Sequence, residues 1–294
     1  MRGKNASRKI GIVFLLPALA FIIYSLVIPF VWNFVLSFQQ WDGFAPPRFV
    51  GVKNFISVTG DPVARHSLFN SIYYAFATTS MGVILGLLLA ILVFKLIGKE
   101  GSVFRLILFS PAMLPTAVVG LMFLFFFNPE MGLLNQFFKL IGLESWTHVW
   151  LQDKSTAMLS LIFVAVWKCS AAVMLLCFAA MQSIPGSLYE AYKLESVSYP
   201  KQLRFITLPL IKPTILLATI YTLGIQFKSY DLIFVMTQGG PGNLTFTVPI
   251  YMTKIAFTFG NFGDAAAQGV VFTIVVTISI ILVNRLLRSD HYEY

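Results

Sequence analysis

The stretch TAMLSLIFVAVWKCSAAVMLLCFAAM covers residues 156–181, and Lys168 is its only charged residue. A helix crosses the hydrocarbon core of a bilayer, about 30 Å thick, with roughly 20 mainly apolar residues. Lipid offers no hydrogen-bond partner to the backbone, so a segment that crosses it is expected to be helical. This stretch therefore predicts a transmembrane helix.

Five further stretches have the same apolar character. They are residues 10–38, 70–96, 103–127, 205–227 and 265–287. The first has a basic start, as a signal peptide has, but its apolar part continues to Phe38 and is expected to be retained as a span. The sequence thus predicts an all-α, polytopic membrane protein with about six transmembrane helices in a single domain over residues 1–294.

The composition agrees with a membrane protein. The 294 residues are 57% hydrophobic and 11% charged, with a mean hydropathy of +0.80, whereas soluble domains are about 45–50% apolar and about 25% charged. The net charge of +9 comes from residues scattered between the apolar runs, which favours membrane orientation over nucleic-acid binding. Most Lys and Arg fall on one side if both termini are cytoplasmic, as expected for a multi-pass protein of the bacterial inner membrane.

Small residues recur at every fourth position in two of the predicted spans. These residues are Thr78, Gly82, Gly86 and Ala90 in the second span, and Ala265, Gly269, Thr273 and Thr277 in the sixth. Small side chains at this interval let helix backbones approach closely in a membrane. The pattern predicts close helix packing, and a moving interface stays open as the alternative.

Several kinds of catalytic or ion-coupling site are absent from the sequence. It contains no GxxxxGK[ST] phosphate loop, no HExxH pair and no GxSxG elbow, so we expect no catalytic residue, metal ligand or bound nucleotide in this chain. The 12 acidic residues avoid the centres of the spans, which leaves no carboxylate to relay ions. Energy for transport would then come from another polypeptide. A self-contained secondary transporter or channel is the alternative, and a membrane-embedded enzyme is a weaker one.

The segment between the fourth and fifth spans, residues 182–209, is unusually structured for a connection. Pro185-Gly186 is expected to end the fourth helix, and Ser187 followed by Glu190 fits an S-x-x-E capping box for a new short helix. A second helical piece is expected to begin at Tyr199-Pro200, since Pro is tolerated in a first turn. The pattern predicts a short polar helix-turn-helix on the cytoplasmic surface.

This segment resembles the EAA loop in permease subunits of ATP-binding-cassette (ABC) importers. The resemblance lies in Glu190-Ala191 and in the closing Ile206-x-Leu208-Pro209, while Tyr192 and Ser196 depart from the family pattern of Ala and Gly. Residues 128–135 (NPEMGLLN), Trp167-Lys168 and TQGGP at 237–241 are similar to the sugar-permease branch. The residues expected to contact an ATPase are Ser187, Glu190, Ala191, Tyr192, Glu195 and Ser196.

The resemblance implies a permease subunit that forms half of a carbohydrate pathway. The implied partners are a second homologous permease, two ABC ATPase subunits, an extracytoplasmic solute-binding protein and membrane lipid, but no nucleic acid. ATP and Mg²⁺ would be bound by the ATPases, so no cofactor is expected in this chain.

Candidate substrate residues are polar or aromatic side chains of the last three spans and the loops that follow them. They are Trp167, Lys168, Tyr221, Gln226, Tyr230 and Tyr251. Each of the aromatic residues has a packing role as an alternative. Lys168 is expected to pair with an anionic sugar or phosphate, to snorkel, or to face a polar cavity. Gly239, Gly240 and Pro241 predict a sharp turn, with contact to a solute-binding protein as a further hypothesis.

Overall fold

A computed structural model describes residues 14–96, 99–194 and 198–287. These residues are mainly helical. The helices are α1 Phe14–Leu36, α2 Lys53–Gly60, α3 Pro62–Phe94, α4 Lys99–Met113, α5 Thr116–Phe126, α6 Leu133–Leu140, α7 Ala157–Gln182, α8 Gly186–Leu194, α9 Tyr199–Phe227, α10 Asp231–Thr237, α11 Val248–Thr253 and α12 Phe262–Leu287. Two short antiparallel strands, β1 Gln39–Gln40 and β2 Arg48–Phe49, pair after α1.

Helices α1, α3, α7, α9 and α12 are each long and apolar enough to cross a membrane. Helices α4 and α5 make a sixth span only as a pair, because the chain bends by 98° between them. The all-α prediction with about six spans is confirmed. The expectation of one continuous helix over residues 103–127 is wrong, because Pro115 adopts an extended ψ of 137° at the break and has no N–H to continue the helix.

Four spans begin earlier than predicted, and the difference is largest for α3 and α9. Helix α3 starts at Pro62 and has 33 residues, which makes it about 50 Å long and longer than the hydrocarbon core. Helix α9 starts at Tyr199, so the second helical piece expected after residue 198 forms its first turn. Pro200 lies in that turn, where a missing N–H breaks no helical hydrogen bond.

The chain divides into two compact units. One consists of Met1–Arg65 with Tyr251–Ile274, and the other of His66–Ile250 with Val275–Tyr294.

Within the first unit, polar contacts join the strand segment to the helices on either side. The Asn54 amide donates hydrogen bonds to the carbonyl oxygens of Ser37 (3.0 Å) and Gln39 (2.8 Å). The Phe262 N–H donates to the Trp41 carbonyl at 3.0 Å, and the centroids of their rings are 5.1 Å apart. The strand segment is thus held against the start of α12.

Within the second unit, the small residues of α3 pack against α7. A Cβ on Gly86 would meet the Ser170 carbonyl oxygen and the Val173 Cβ, each at 2.7 Å, and a Cβ on Gly82 would meet the Cys169 Sγ. Ala90, one turn further, is fully buried. The spacing of small residues therefore allows the two backbones to approach more closely than any larger side chain would permit.

We expect Gly86→Ala to lower the stability of the protein by about 1–3 kcal/mol, because the added methyl group overpacks the α3–α7 contact. Gly224→Ala in α9 is the matched control, since a Cβ there meets nothing within 4 Å. The control gains up to about 1 kcal/mol from helix propensity alone. Thermal unfolding in detergent measures both variants, and an equal rise in Tm for the two would contradict the packing argument.

Candidate functional site

Helix α8 contains the residues predicted to contact an ATPase. It begins at Gly186, so Ser187 lies in its first turn and not at the N-cap, which corrects the expected capping box. The side chains of Ser187 and Glu190 are exposed. Ala191 and Tyr192 lie on the same helix, whereas Glu195 and Ser196 lie outside the described residues.

The other side of α8 is attached to the spanning helices through Tyr189. The Tyr189 hydroxyl lies 3.4 Å from the Thr207 Oγ1 in α9, and its ring centroid lies 6.3 Å from that of Phe94 at the end of α3. The Lys95 ammonium lies 3.9 Å from the centroid of the Tyr199 ring, which adds a cation–π contact between α3 and α9. Helix α8 therefore combines an anchored side with an exposed side that carries a carboxylate.

A cavity of about 450 Å³ lies between the helices of the second unit. Its walls come from α3, the α4–α5 break, α7, α9 and the start of α10. Four of the six predicted substrate residues line it together: Lys168, Tyr221, Gln226 and Tyr230.

Sequence reasoning missed the other polar residues of this cavity. They are Tyr74, Thr116, Thr222, Lys228, Ser229 and Asp231. Tyr74 is 1% exposed, and its hydroxyl lies 3.2 Å from the Ser229 Oγ. The available signal was the Lys-Ser-Tyr-Asp run, residues 228–231, directly after the fifth span. Tyr74 gave little signal, because Tyr73, Thr78 and Thr79 lie in the same span.

Lys168 has a defined partner at the edge of the cavity. Its ammonium donates a hydrogen bond of 2.9 Å to the Leu114 carbonyl oxygen, in the break between α4 and α5. Carbonyl groups at a helix C-terminus lack intrahelical partners and carry partial negative charge. The position of Lys168 thus matches the polar-cavity alternative, with the charge directed to the broken span.

Trp167 and Tyr251 do not line this cavity. Successive helical residues are about 100° apart around the axis, so Trp167 points away from the Lys168 side. It lines a separate apolar cavity of about 400 Å³, with its ring centroid 5.4 Å from that of Phe123. Tyr251 belongs to the first unit and donates a hydrogen bond to the Asp61 carboxylate. Burial, followed by this bond and the charge of Asp61, raises the pKa of Tyr251, so the phenol stays protonated.

The TQGGP segment, residues 237–241, forms a tight turn. Gly239 is buried and has φ +88°, and a Cβ there would meet the Phe246 ring. The Thr245 hydroxyl donates to the Gly240 carbonyl at 2.6 Å. The Asn70 amide in α3 donates to the Phe246 carbonyl at 2.9 Å, which attaches the turn to α3. The predicted sharp turn is present, with Gly240 and Pro241 half-buried, and contact with a solute-binding protein stays a prediction.

We expect Gly239→Asn to destabilise this turn by about 1–3 kcal/mol through overpacking against the Phe246 ring. Gly242→Asn is the matched control, because Gly242 also has positive φ (+61°) but meets nothing within 4 Å, and Asn tolerates positive φ. Thermal unfolding compares the two variants. Equal Tm values would show that the Phe246 contact does not restrict residue 239.

The chain is similar to known membrane transport proteins along almost its whole length. Residues 82–289 match the family described as binding-protein-dependent transport system inner membrane component. The chain is 37% identical to the probable ABC transporter permease protein YurN of Bacillus subtilis, over 95% of this chain and 96% of that protein. It is 29% identical to the trehalose/maltose transport system permease protein MalF of Thermococcus litoralis, over 95% and 94% of the two chains.

A solved structure has the same fold. It is a bacterial alginate ABC transporter in complex with an alginate pentasaccharide-bound periplasmic protein, and one of its chains superposes with a TM-score of 0.84 at 19% identity, covering 97% of this chain and 96% of that one. The family match covers more than half of the chain and agrees with the six spans described above. This chain therefore belongs to the family of binding-protein-dependent transport system inner membrane components and is an integral membrane permease.

Proposed function

We propose that this chain is the permease subunit of an ATP-driven carbohydrate importer and forms half of the translocation pathway as one permease domain over residues 1–294. The cavity of about 450 Å³ among the spanning helices carries the proposal. Similarity to a trehalose/maltose transport permease and to a chain of an alginate transporter supports a carbohydrate substrate.

The chemistry of the cavity suits a sugar. Sugars present hydroxyl groups together with apolar ring faces, and ligand sites combine apolar surface with a few placed polar groups. The Gln226 amide, the phenols of Tyr221 and Tyr230 and the hydroxyl of Thr222 line this cavity. The Lys168 ammonium is already bonded to the Leu114 carbonyl. We therefore propose recognition through hydroxyl groups and ring faces, with no requirement for an anionic substrate.

Energy for transport is proposed to come from two ABC ATPase subunits that bind ATP and Mg²⁺. In this proposal their contact is α8, through the exposed Ser187 and Glu190 and through Ala191 and Tyr192 of the same helix. Displacement of α8 would reach α9 through the contact between Tyr189 and Thr207. Residues near the other end of α9 line the cavity, so one helix joins the proposed ATPase contact to the proposed pathway.

The remaining partners and the orientation follow from the same proposal. A second homologous permease supplies the other half of the pathway. Helix α8 and both termini face the cytoplasm of a bacterial cell, and the chain lies in the inner membrane. The turn at Gly239–Pro241 lies on the opposite side, where an extracytoplasmic solute-binding protein delivers the substrate.

We expect Glu190→Lys to abolish copurification of the ATPase and ATP-dependent uptake, because the substitution reverses the charge on the exposed side of α8. Glu144→Lys is the matched control and should retain both. Glu144 is also an exposed glutamate, but it lies before α7, whereas Glu190 lies after α7. Pull-down of the assembled transporter and uptake into proteoliposomes are the measurements.

The same proteoliposomes distinguish the proposal from its alternative. Uptake by this chain without an ATPase would identify a self-contained secondary transporter or channel. Uptake that survives in Glu190→Lys with the ATPase still bound would contradict the assigned role of α8 and leave the assignment as an importer in place.

The cavity is tested with Tyr221→Ala. Loss of the ring and of a hydrogen bond, about 1–2 kcal/mol, corresponds to a roughly five- to thirtyfold higher half-saturating substrate concentration. Leu217→Ala is the control, because Leu217 lies one turn away in α9, is comparably exposed and does not line the cavity. Uptake of radiolabelled trehalose, maltose and alginate oligosaccharides provides the readout, and equal kinetics for the two variants would remove Tyr221 from the pathway.

A further inference from the structure

Helix α6, Leu133–Leu140, follows the end of α5 after a short turn. The turn is closed by Asn128, whose side-chain oxygen accepts hydrogen bonds from the N–H groups of Glu130 (3.0 Å) and Met131 (2.9 Å). Because the turn is short, α6 lies close to the point where the third span leaves the membrane. This end of the bundle is opposite α8, since α7 separates the two.

One side of α6 is fixed by Asn135, which is 3% exposed. Its amide nitrogen donates to the carbonyl oxygens of Pro129 (3.1 Å) and His148 (3.0 Å). Its oxygen accepts from the Trp150 Nε1 at 2.8 Å and from the His148 N–H at 3.3 Å. The whole hydrogen-bonding capacity of the Asn135 side chain is used, and this sets which side of α6 faces outward.

The outward side of α6 is apolar. Leu133, Phe137 and Leu140 are spaced by four and three residues and therefore share one helix face, and they are 69%, 55% and 85% exposed. The polar residues Gln136 and Lys139 lie together on one flank of this face. Apolar surface exposed to water is unfavourable by about 25 cal/mol per Å², so this face requires lipid or another protein to cover it.

The apolar face of α6 continues onto the membrane-spanning helix α5. Phe126 of α5 lines a common groove with five residues of α6: Leu133, Leu134, Gln136, Phe137 and Leu140. Phe125, beside Phe126, is strongly exposed. The exposed ring of Trp146 lies in the segment after α6, and Trp is enriched at the boundary between lipid and water. The apolar surface of α5 thus extends over α6, and Gln136 is the one polar residue that lines the shared groove.

We propose that α6 lies in the headgroup–acyl boundary of the bilayer, at the end of the bundle opposite α8, with Leu133, Phe137 and Leu140 inserted into lipid. Amphipathic helices bind this boundary with their apolar face embedded and their polar face in water. The position attaches the end of α5, which is half of the broken third span, to the membrane surface. The inference depends on the spanning helices and not on the identity of the substrate.

The test uses Leu140→Cys carrying a nitroxide spin label, in the assembled transporter reconstituted in nanodiscs of phosphatidylethanolamine and phosphatidylglycerol. Labelled wild-type protein serves as the blank for Cys169 and Cys177. We expect label collisions with oxygen, which concentrates in lipid, to exceed those with a water-soluble nickel chelate. Lys139→Cys, which is exposed and does not line the groove shared with Phe126, is the matched control and should show the reverse order.

Three results would overturn the proposal. Collisions dominated by the nickel chelate at residue 140 would place the face in water. Exclusion of both reagents would show that a neighbouring permease covers it. Protection that appears only after the solute-binding protein is added would identify a protein docking surface. Phe137→Cys on the same face gives a second, independent reading if Leu140→Cys fails to assemble.

Discussion

The lack of hydrogen-bond partners in lipid is the constraint on which this structure depends. It makes every span helical, and it makes any break in a span unfavourable unless another group satisfies the freed backbone atoms. The break between α4 and α5 meets this condition because the Lys168 ammonium binds the Leu114 carbonyl oxygen. The cavity also adjoins this break, because Ala112 and Thr116 on either side of it line the cavity.

Side-chain amides give the irregular segments the order that helices obtain from their own backbone. Asn54 binds the carbonyl groups that follow α1, Asn70 binds the segment after the TQGGP turn, and Asn135 binds the segments on both sides of α6. Each of these residues is buried, where an unsatisfied carbonyl or N–H group would be strongly unfavourable. A small number of asparagines therefore maintains the geometry of these connecting segments.

Hydropathy was sufficient to predict the six spans, and the small residues at intervals of four predicted how α3 approaches α7. The bend at Pro115 was not predicted, because a proline inside an apolar run is compatible with a mild kink or with a full break. The grouping of Lys168, Tyr221, Gln226 and Tyr230 followed from their polarity. The exclusion of Trp167 and the inclusion of Tyr74 depend on helix rotation, and an apolar sequence on all sides of a helix carries little information about rotation.

The saturated side chain of Asn135 has a consequence for engineering. It links residues 129, 148 and 150 at fixed distances, so the chain between residues 135 and 148 tolerates added length only where a bulge leaves these links intact. Gly142 meets that requirement, since it has a left-handed conformation and open space around it. An epitope tag inserted at residue 142 would show, in living cells, on which side of the membrane this loop lies. The hydrogen bonds of Asn135 to residues 129, 148 and 150 would stay intact.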